Sequence, residues 1–76
     1  MLKDNRSRMM QLGLNIAYYR KKKGYTQEQL AELIGISRTH MSNIEAPKGN
    51  KSLSLDVLFK IADALDVQVE KLFEIR

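Results

Sequence analysis

Arg38, Thr39, Ser42 and Asn43 bring hydrogen-bond donors and acceptors together within one short stretch of the chain. On a helix, residues three and four apart are neighbours, so these side chains would share an outer face. Arginine pairs bidentately with guanine, asparagine pairs with adenine, and the threonine methyl contacts that of thymine. The stretch holds no acidic residue that would repel phosphate. The pattern favours a face that contacts nucleic acid; the alternative is a solvated polar helix.

The charge is distributed unevenly along the 76 residues, although the formal net charge is only +4. Residues 1–51 hold ten Lys and Arg against four Asp and Glu, whereas residues 52–76 hold three against five. A basic front and an acidic back indicate an oriented anionic partner, either nucleic acid or a membrane surface. A solvated basic end without any partner is the alternative that composition leaves open.

Length and residue usage limit the class of protein. A chain this short supports one small core, so we expect a single domain over residues 1–76, with residues 1–7 as a flexible N-terminal extension. The absence of cysteine excludes disulfides and thiolate zinc sites. The N-terminus lacks the apolar segment of a signal peptide, and no apolar run approaches the roughly 18 residues of a spanning helix. We therefore expect a cytoplasmic protein.

Helical periodicity dominates the sequence and predicts an all-α fold of five helices. Their expected bounds are about 7–23, 27–34, 38–45, 55–65 and 68–74. Thr26 and Gln29 form a capping box at the start of the second helix. Ser37 and Ser54 have the N-cap position of the third and fourth helices. These helices are the elements that must position the polar face at residues 38–43.

The second and third predicted helices have the spacing of a helix-turn-helix. Gly35 ends the second helix and supplies the positive φ that a tight turn needs. The small Ala31 sits where the two helices would cross. Apolar residues at helical spacing complete the inner face of the pair: Leu30, Ile34, Ile36, Met41 and Ile44.

With these features the chain resembles the Cro/C1-type (XRE, lambda-repressor-like) DNA-binding domains. The matching positions are Leu12-Gly13, Ile16, Arg20, 26–31, 34–37, 42–45, 60–65, Val67 and Leu72-Phe73. The resemblance implies a compact five-helix domain whose third helix docks in the DNA major groove. The sequence departs from the family at Ala46-Pro47, where Asn-Gly is usual, and at Leu53, where Pro is usual. The loop between these positions is longer by about two residues.

The resemblance also implies roles for individual residues. By family position, Arg38, Thr39 and Asn43, with the adjacent Ser42, are expected to read base edges. Gln27 lies at the N-terminus of the second helix, where the helix dipole attracts phosphate, and its family counterpart contacts phosphate and braces the third helix. The other expected phosphate contacts are His40, Lys48, Asn50 and Lys51.

An ion pair between Arg20 and Glu45 is a further expectation from the family. Arg20 lies at the edge of the inward stripe of the first helix. Glu45 ends the third helix, where a carboxylate is unfavourable to the helix dipole unless a cation pairs with it. The alternative is a free surface glutamate.

Two groups of apolar residues lie outside the predicted core. Met10, Leu14 and Tyr18 recur every four residues on the first helix, turned away from its inward stripe. They are covered by the N-terminal segment, or form a surface for a protein partner, or are scattered exposed side chains. Near the C-terminus, Val67, Val69 and Ile75 are expected to form a homodimer interface, whereas Leu72 and Phe73 are expected to pack inward.

No combination of residues predicts an enzyme. The sequence has one His, no Cys nucleophile, no glycine-rich phosphate loop and no metal-ligand cluster, so we expect no catalytic residue, metal or cofactor. A membrane-surface role does not fit, because the core needs the apolar stripe of the first helix. The predicted function is a sequence-specific DNA-binding transcriptional regulator, dimeric on a pseudo-palindromic operator. The alternative is an antitoxin or adaptor that uses this fold mainly to bind another protein.

Overall fold

The computed structural model describes residues 5–48 and 53–75, which form helices and connections without any strand. Four α-helices cover Arg6–Lys22 (α1), Gln27–Ile34 (α2), Arg38–Glu45 (α3) and Leu55–Leu65 (α4), and a 3₁₀ helix covers Val69–Phe73. The bounds predicted for the second, third and fourth helices are confirmed. The first helix begins and ends one residue earlier than predicted, so it includes residues 6 and 7 of the expected extension.

The predicted caps are present and explain why three helix starts were predictable. The Thr26 hydroxyl accepts from the N–H of Gln29 at 3.0 Å, and the Gln29 side chain accepts from the N–H of Thr26 at 2.9 Å. Ser37 and Ser54 each accept from the third N–H of their helices. Each hydroxyl therefore satisfies a backbone donor that has no partner within the helix.

The turn between α2 and α3 depends on Gly35, whose φ is +79°. In this left-handed conformation, the N–H of Ile36 donates to the carbonyl oxygen of Ala31 at 3.0 Å. The bond closes the end of α2 and turns the chain directly into α3. The predicted helix-turn-helix is thus present between residues 27 and 45.

The helices enclose one apolar core. The α2 helix packs against α3 and α4, while α1 packs against α3 and the 3₁₀ helix. The largest fully buried apolar side chains come from every helix: Ile16, Leu30, Met41, Ile61, Leu65 and Leu72. None of the helices in the described residues combines the length and apolarity needed to cross a membrane.

The fifth predicted helix is wrong in type and bounds, because the α-helix expected over 68–74 is a 3₁₀ helix over Val69–Phe73. Within it, the N–H of Lys71 donates to the carbonyl of Gln68, three residues back, at 2.9 Å. The buried Asn15 side chain donates to the carbonyl oxygens of Leu72 at 2.9 Å and Glu74 at 2.6 Å. These bonds fasten the C-terminal segment to α1, while the hydrogen bonds within the segment run three residues back, as in a 3₁₀ helix.

The inward position expected for Phe73 is also wrong. Leu72 is fully buried as expected, but Phe73 is 57% exposed. A 3₁₀ helix has about three residues per turn, so residues 69 and 72 face the same side and residue 73 turns away. Val69 accordingly packs against the core beside Leu72.

Candidate nucleic-acid interface

The α3 helix divides sharply into a polar outer face and an apolar inner face. Its buried residues are Met41, Ile44 and Glu45. Its exposed residues include all four expected base readers: Arg38, Thr39, Ser42 and Asn43. The structure therefore brings these four side chains together on one solvent-facing helix surface.

The C-terminal end of α3 is held by the ion pair expected between Arg20 and Glu45. Arg20 Nε lies 2.6 Å from Glu45 Oε2, and an Nη donates to Glu45 Oε1 at 3.0 Å. Both side chains are buried. The other Nη of Arg20 donates to the carbonyl oxygen of Tyr25 at 2.7 Å. This two-point pairing fixes α3 against α1, because a planar guanidinium allows one orientation of the carboxylate.

Gln27 joins this network from the first position of α2. Its Nε2 donates to Glu45 Oε1 at 2.9 Å, so one carboxylate receives bonds from α1 and from α2. The bracing expected for Gln27 thus has a direct contact with the end of α3. Glu45 presents no unpaired carboxylate to an anionic ligand, because both its oxygens accept hydrogen bonds from cationic or amide donors.

The N-termini of α2 and α3 open onto one shallow depression. Its lining contains the start of both helices and the buried arginine between them: Arg20, Thr26, Gln27, Glu28 and Arg38. Helix N-termini direct N–H groups and the positive end of the dipole outward. An anion in this depression would lie near two helix starts and the Arg38 guanidinium.

A second depression lies on the other side of α3. It is lined by Met9, Ser37, Thr39, His40, Asn43, Ile44, Pro47 and Leu53. His40 and Lys48 are both exposed, in keeping with the outward positions expected for phosphate contacts. Asn50 and Lys51 lie outside the described residues. Exposed cationic or hydrogen-bonding side chains thus occur both on α3 and just after its C-terminal end.

Gly13 matters to this surface and Asn15 to the 3₁₀ helix, although sequence patterns gave neither a functional role. A Cβ on Gly13 would lie 2.5 Å from the carbonyl oxygen of Glu45 and 2.6 Å from that of Ile44. Only glycine therefore lets α1 approach the end of α3 so closely. The matching Leu12-Gly13 pair was a signal for this crossing, whereas the bonds from Asn15 span more than fifty residues.

Known proteins share this arrangement. A helix-turn-helix family model matches residues 16–72. The control protein C.SmaI from Serratia marcescens is 39% identical over 80% of this chain and 70% of its own length. The transcriptional regulator SinR from Bacillus subtilis is 36% identical over 83% of this chain. The chain spans only about half of SinR, since the match covers 56% of the length of that protein.

Solved structures agree with the sequence matches. The restriction-modification controller C.AhdI from Aeromonas hydrophila superposes with a TM-score of 0.79 at 33% identity, covering 88% of this chain and 98% of that one. A crystal structure of SinR in complex with DNA gives a TM-score of 0.75 at 36% identity, covering 83% and 98%. These proteins are named as regulators or controllers. The chain belongs to the helix-turn-helix family of the Cro/C1 (XRE) type.

Proposed function

We propose that this protein is a sequence-specific DNA-binding transcriptional regulator that inserts α3 into the major groove. The observation that carries the proposal is the division of α3: the polar residues 38, 39, 42 and 43 are exposed together, while Met41, Ile44 and Glu45 fasten the opposite face. A fixed helix with a free polar face has the dimensions and the chemistry that major-groove recognition needs. Residues 1–76 would act as one unit in the cytoplasm.

The exposed residues divide into two roles in this proposal. Arg38, Thr39, Ser42 and Asn43 read base edges. Gln27, His40 and Lys48 contact phosphates around them, together with Asn50 and Lys51 from the loop. Contacts to phosphate set the register of the helix, whereas contacts to base edges set the sequence preference.

The proposed regulator binds as a two-fold dimer. A single helix-turn-helix buries little surface, and tight specific binding usually takes two. Two copies related by a two-fold axis place their α3 helices about 34 Å apart, so the operator is a pseudo-palindrome with half-sites about ten base pairs apart.

The C-terminal segment is the proposed dimer surface, but its centre lies at Phe73 and Ile75 and not at Val67 and Val69. Val67 and Val69 are half-buried and pack against the core, so they contribute its edge. Ile75 is 92% exposed and Phe73 is exposed beside it. Both line a groove with residues from the first half of α1, among them Met9 and Leu12. Phe73 and Ile75 therefore supply most of the free apolar surface.

The test is selection of bound duplexes from a random pool at stated salt. We expect a pseudo-palindromic consensus, bound by the purified protein without any other component. A dimer making about six to ten phosphate contacts should then lose roughly 10³–10⁵ in affinity between 50 and 200 mM salt. Failure to enrich any sequence, with a flat salt response, would contradict the proposal and favour an antitoxin or adaptor role.

A further inference from the structure

The outer face of α1 carries an apolar strip, formed by Met10, Leu14 and Tyr18. All three side chains are exposed, and Leu14 is 60% exposed. Because they recur every four residues, they form a row about 12 Å long at 1.5 Å per residue. The core contacts of α1 come instead from other positions, among them Leu12 and Ile16. The strip is therefore not needed to complete this protein's own core.

Tyr18 is held in place at one end of the strip. Its ring meets the ring of Tyr19 edge-on, with 5.0 Å between centroids. The ammonium group of Lys22 lies over the Tyr18 ring, 5.5 Å from its centroid. These aromatic and cation–π contacts restrict the ring before any partner arrives. A restricted aromatic side chain loses little conformational entropy when it becomes buried in an interface.

The charged residues of α1 itself all have one sign. The α1 helix contains no Asp or Glu between Arg6 and Lys22. Arg20 is neutralised by Glu45, but Lys21 and Lys22 at the end of the helix are exposed, and Lys22 lies over the Tyr18 ring of the strip. A second copy of α1 would bring the same cations against these. Like charges facing each other oppose the pairing of two α1 helices, whereas acidic groups on a different helix would be attracted to these cations.

We propose that the Met10–Leu14–Tyr18 strip docks an acidic amphipathic helix of a different protein. A helix laid along α1 would cover the strip with its own apolar row and place carboxylates near Lys21 and Lys22. Adjacent residues on a helix differ by about 100° in direction, so Leu14 points well away from Gly13, which faces α3. The partner and DNA would thus bind different faces of the molecule.

The test uses a designed peptide, about 18 residues long so that it can form a helix, with a leucine row and glutamates elsewhere. A matched peptide carries lysines in place of the glutamates. Fluorescence anisotropy should detect the acidic peptide binding to the full chain and no binding of the basic one. The affinity for the acidic peptide should fall as salt rises, because charge attraction contributes to it.

Two matched variants locate the site. Leu14→Lys should weaken binding of the acidic peptide about tenfold or more, since it removes a buried leucine from the contact. Leu33→Lys is the control, because Leu33 is 59% exposed on α2 and lies outside the strip. It should leave peptide affinity unchanged. Circular dichroism of both variants checks that neither change has unfolded the domain.

Three results would overturn the proposal. Equal peptide affinity of the Leu14→Lys and Leu33→Lys proteins would remove the strip as the site. Loss of a concentration-dependent dimer in Leu14→Lys, seen by sedimentation, would make a second copy the occupant. Tighter peptide binding by Leu2→Lys would indicate that the protein's own N-terminal segment covers the strip. Loss of DNA binding is a separate measurement and bears only on the proposed function.

Discussion

Gln27 Nε2 lies 2.9 Å from Glu45 Oε1, so the first residue of α2 is joined to the last residue of α3. The same carboxylate is paired with Arg20 of α1. The orientation of the proposed base-reading face therefore depends on a buried network as well as on apolar packing. Changes in this network should affect stability and DNA binding together.

Glu45→Ala should lower the free energy of unfolding by about 3–5 kcal/mol, because it leaves the Arg20 guanidinium buried without its anion. Urea unfolding followed by circular dichroism measures the effect. The double variant Arg20→Met with Glu45→Leu should recover much of the loss, since no stranded charge remains. An unchanged unfolding midpoint in Glu45→Ala would show that the pair contributes nothing to stability.

Gly13→Ala should destabilise the fold by about 1–3 kcal/mol, the usual cost of overpacking. The new methyl would meet the backbone carbonyls of Ile44 and Glu45, which cannot move aside as a flexible side chain could. DNA affinity should fall as well, because α3 must shift. Leu14→Ala, an exposed change in the next residue, is the control for thermal unfolding. Equal melting temperatures for the two variants would contradict the tight crossing.

Asn15→Ala should cost about 1–3 kcal/mol, since it leaves the carbonyls of Leu72 and Glu74 without their donor. The damage should concentrate at the 3₁₀ helix. Hydrogen exchange should therefore rise in residues 69–73 by more than in α2, where the capping box is intact. Uniform acceleration over the whole chain would mean that Asn15 acts on global stability alone.

Asn15 shows what the sequence alone could not predict. The starts of α2, α3 and α4 were predictable because Thr26, Ser37 and Ser54 act through N–H groups three residues away. The contact of Asn15 with the last helix was not, because the two lie at opposite ends of the chain. Local patterns carry local hydrogen bonds, whereas a distant donor becomes visible only when the helices are packed.

The candidate site shows the same difference between features that local patterns predict and contacts between distant residues. The outer face of α3 follows from helical periodicity once Met41 and Ile44 are assigned to the core. The Arg20–Glu45 pair came from family resemblance, since charge and spacing alone leave a free surface glutamate open. The bond from Gln27 to Glu45 needed the packed structure. The exposed side of Phe73 was mispredicted, because a 3₁₀ helix turns that position differently from an α-helix.

Arg38→Ala and Asn43→Ala should each cost about 1–3 kcal/mol in binding to the selected operator and relax the preference at single positions. Lys48→Ala is the comparison, because a phosphate contact should weaken all sequences alike and lower the salt slope by about one. Binding to a panel of single-base operator variants separates the two patterns. An unchanged base preference in Arg38→Ala would remove that residue from the reading face.

Phe73→Glu should weaken dimerisation more than a single surface change ordinarily does. In a two-fold interface each substitution occurs twice, so two carboxylates would enter the same apolar patch. Leu33→Glu is the control, since that side chain is about as exposed as Phe73 but lies on α2. Sedimentation across concentration, with and without the palindromic duplex, measures the association.

We expect two wild-type chains per duplex, and we expect the Phe73→Glu protein to need a much higher concentration to fill both half-sites. Leu33→Glu should behave as wild type. A wild-type chain that stays monomeric in both states and binds one per duplex would refute the dimer. Equal association by the two variants would move the interface away from the 3₁₀ helix.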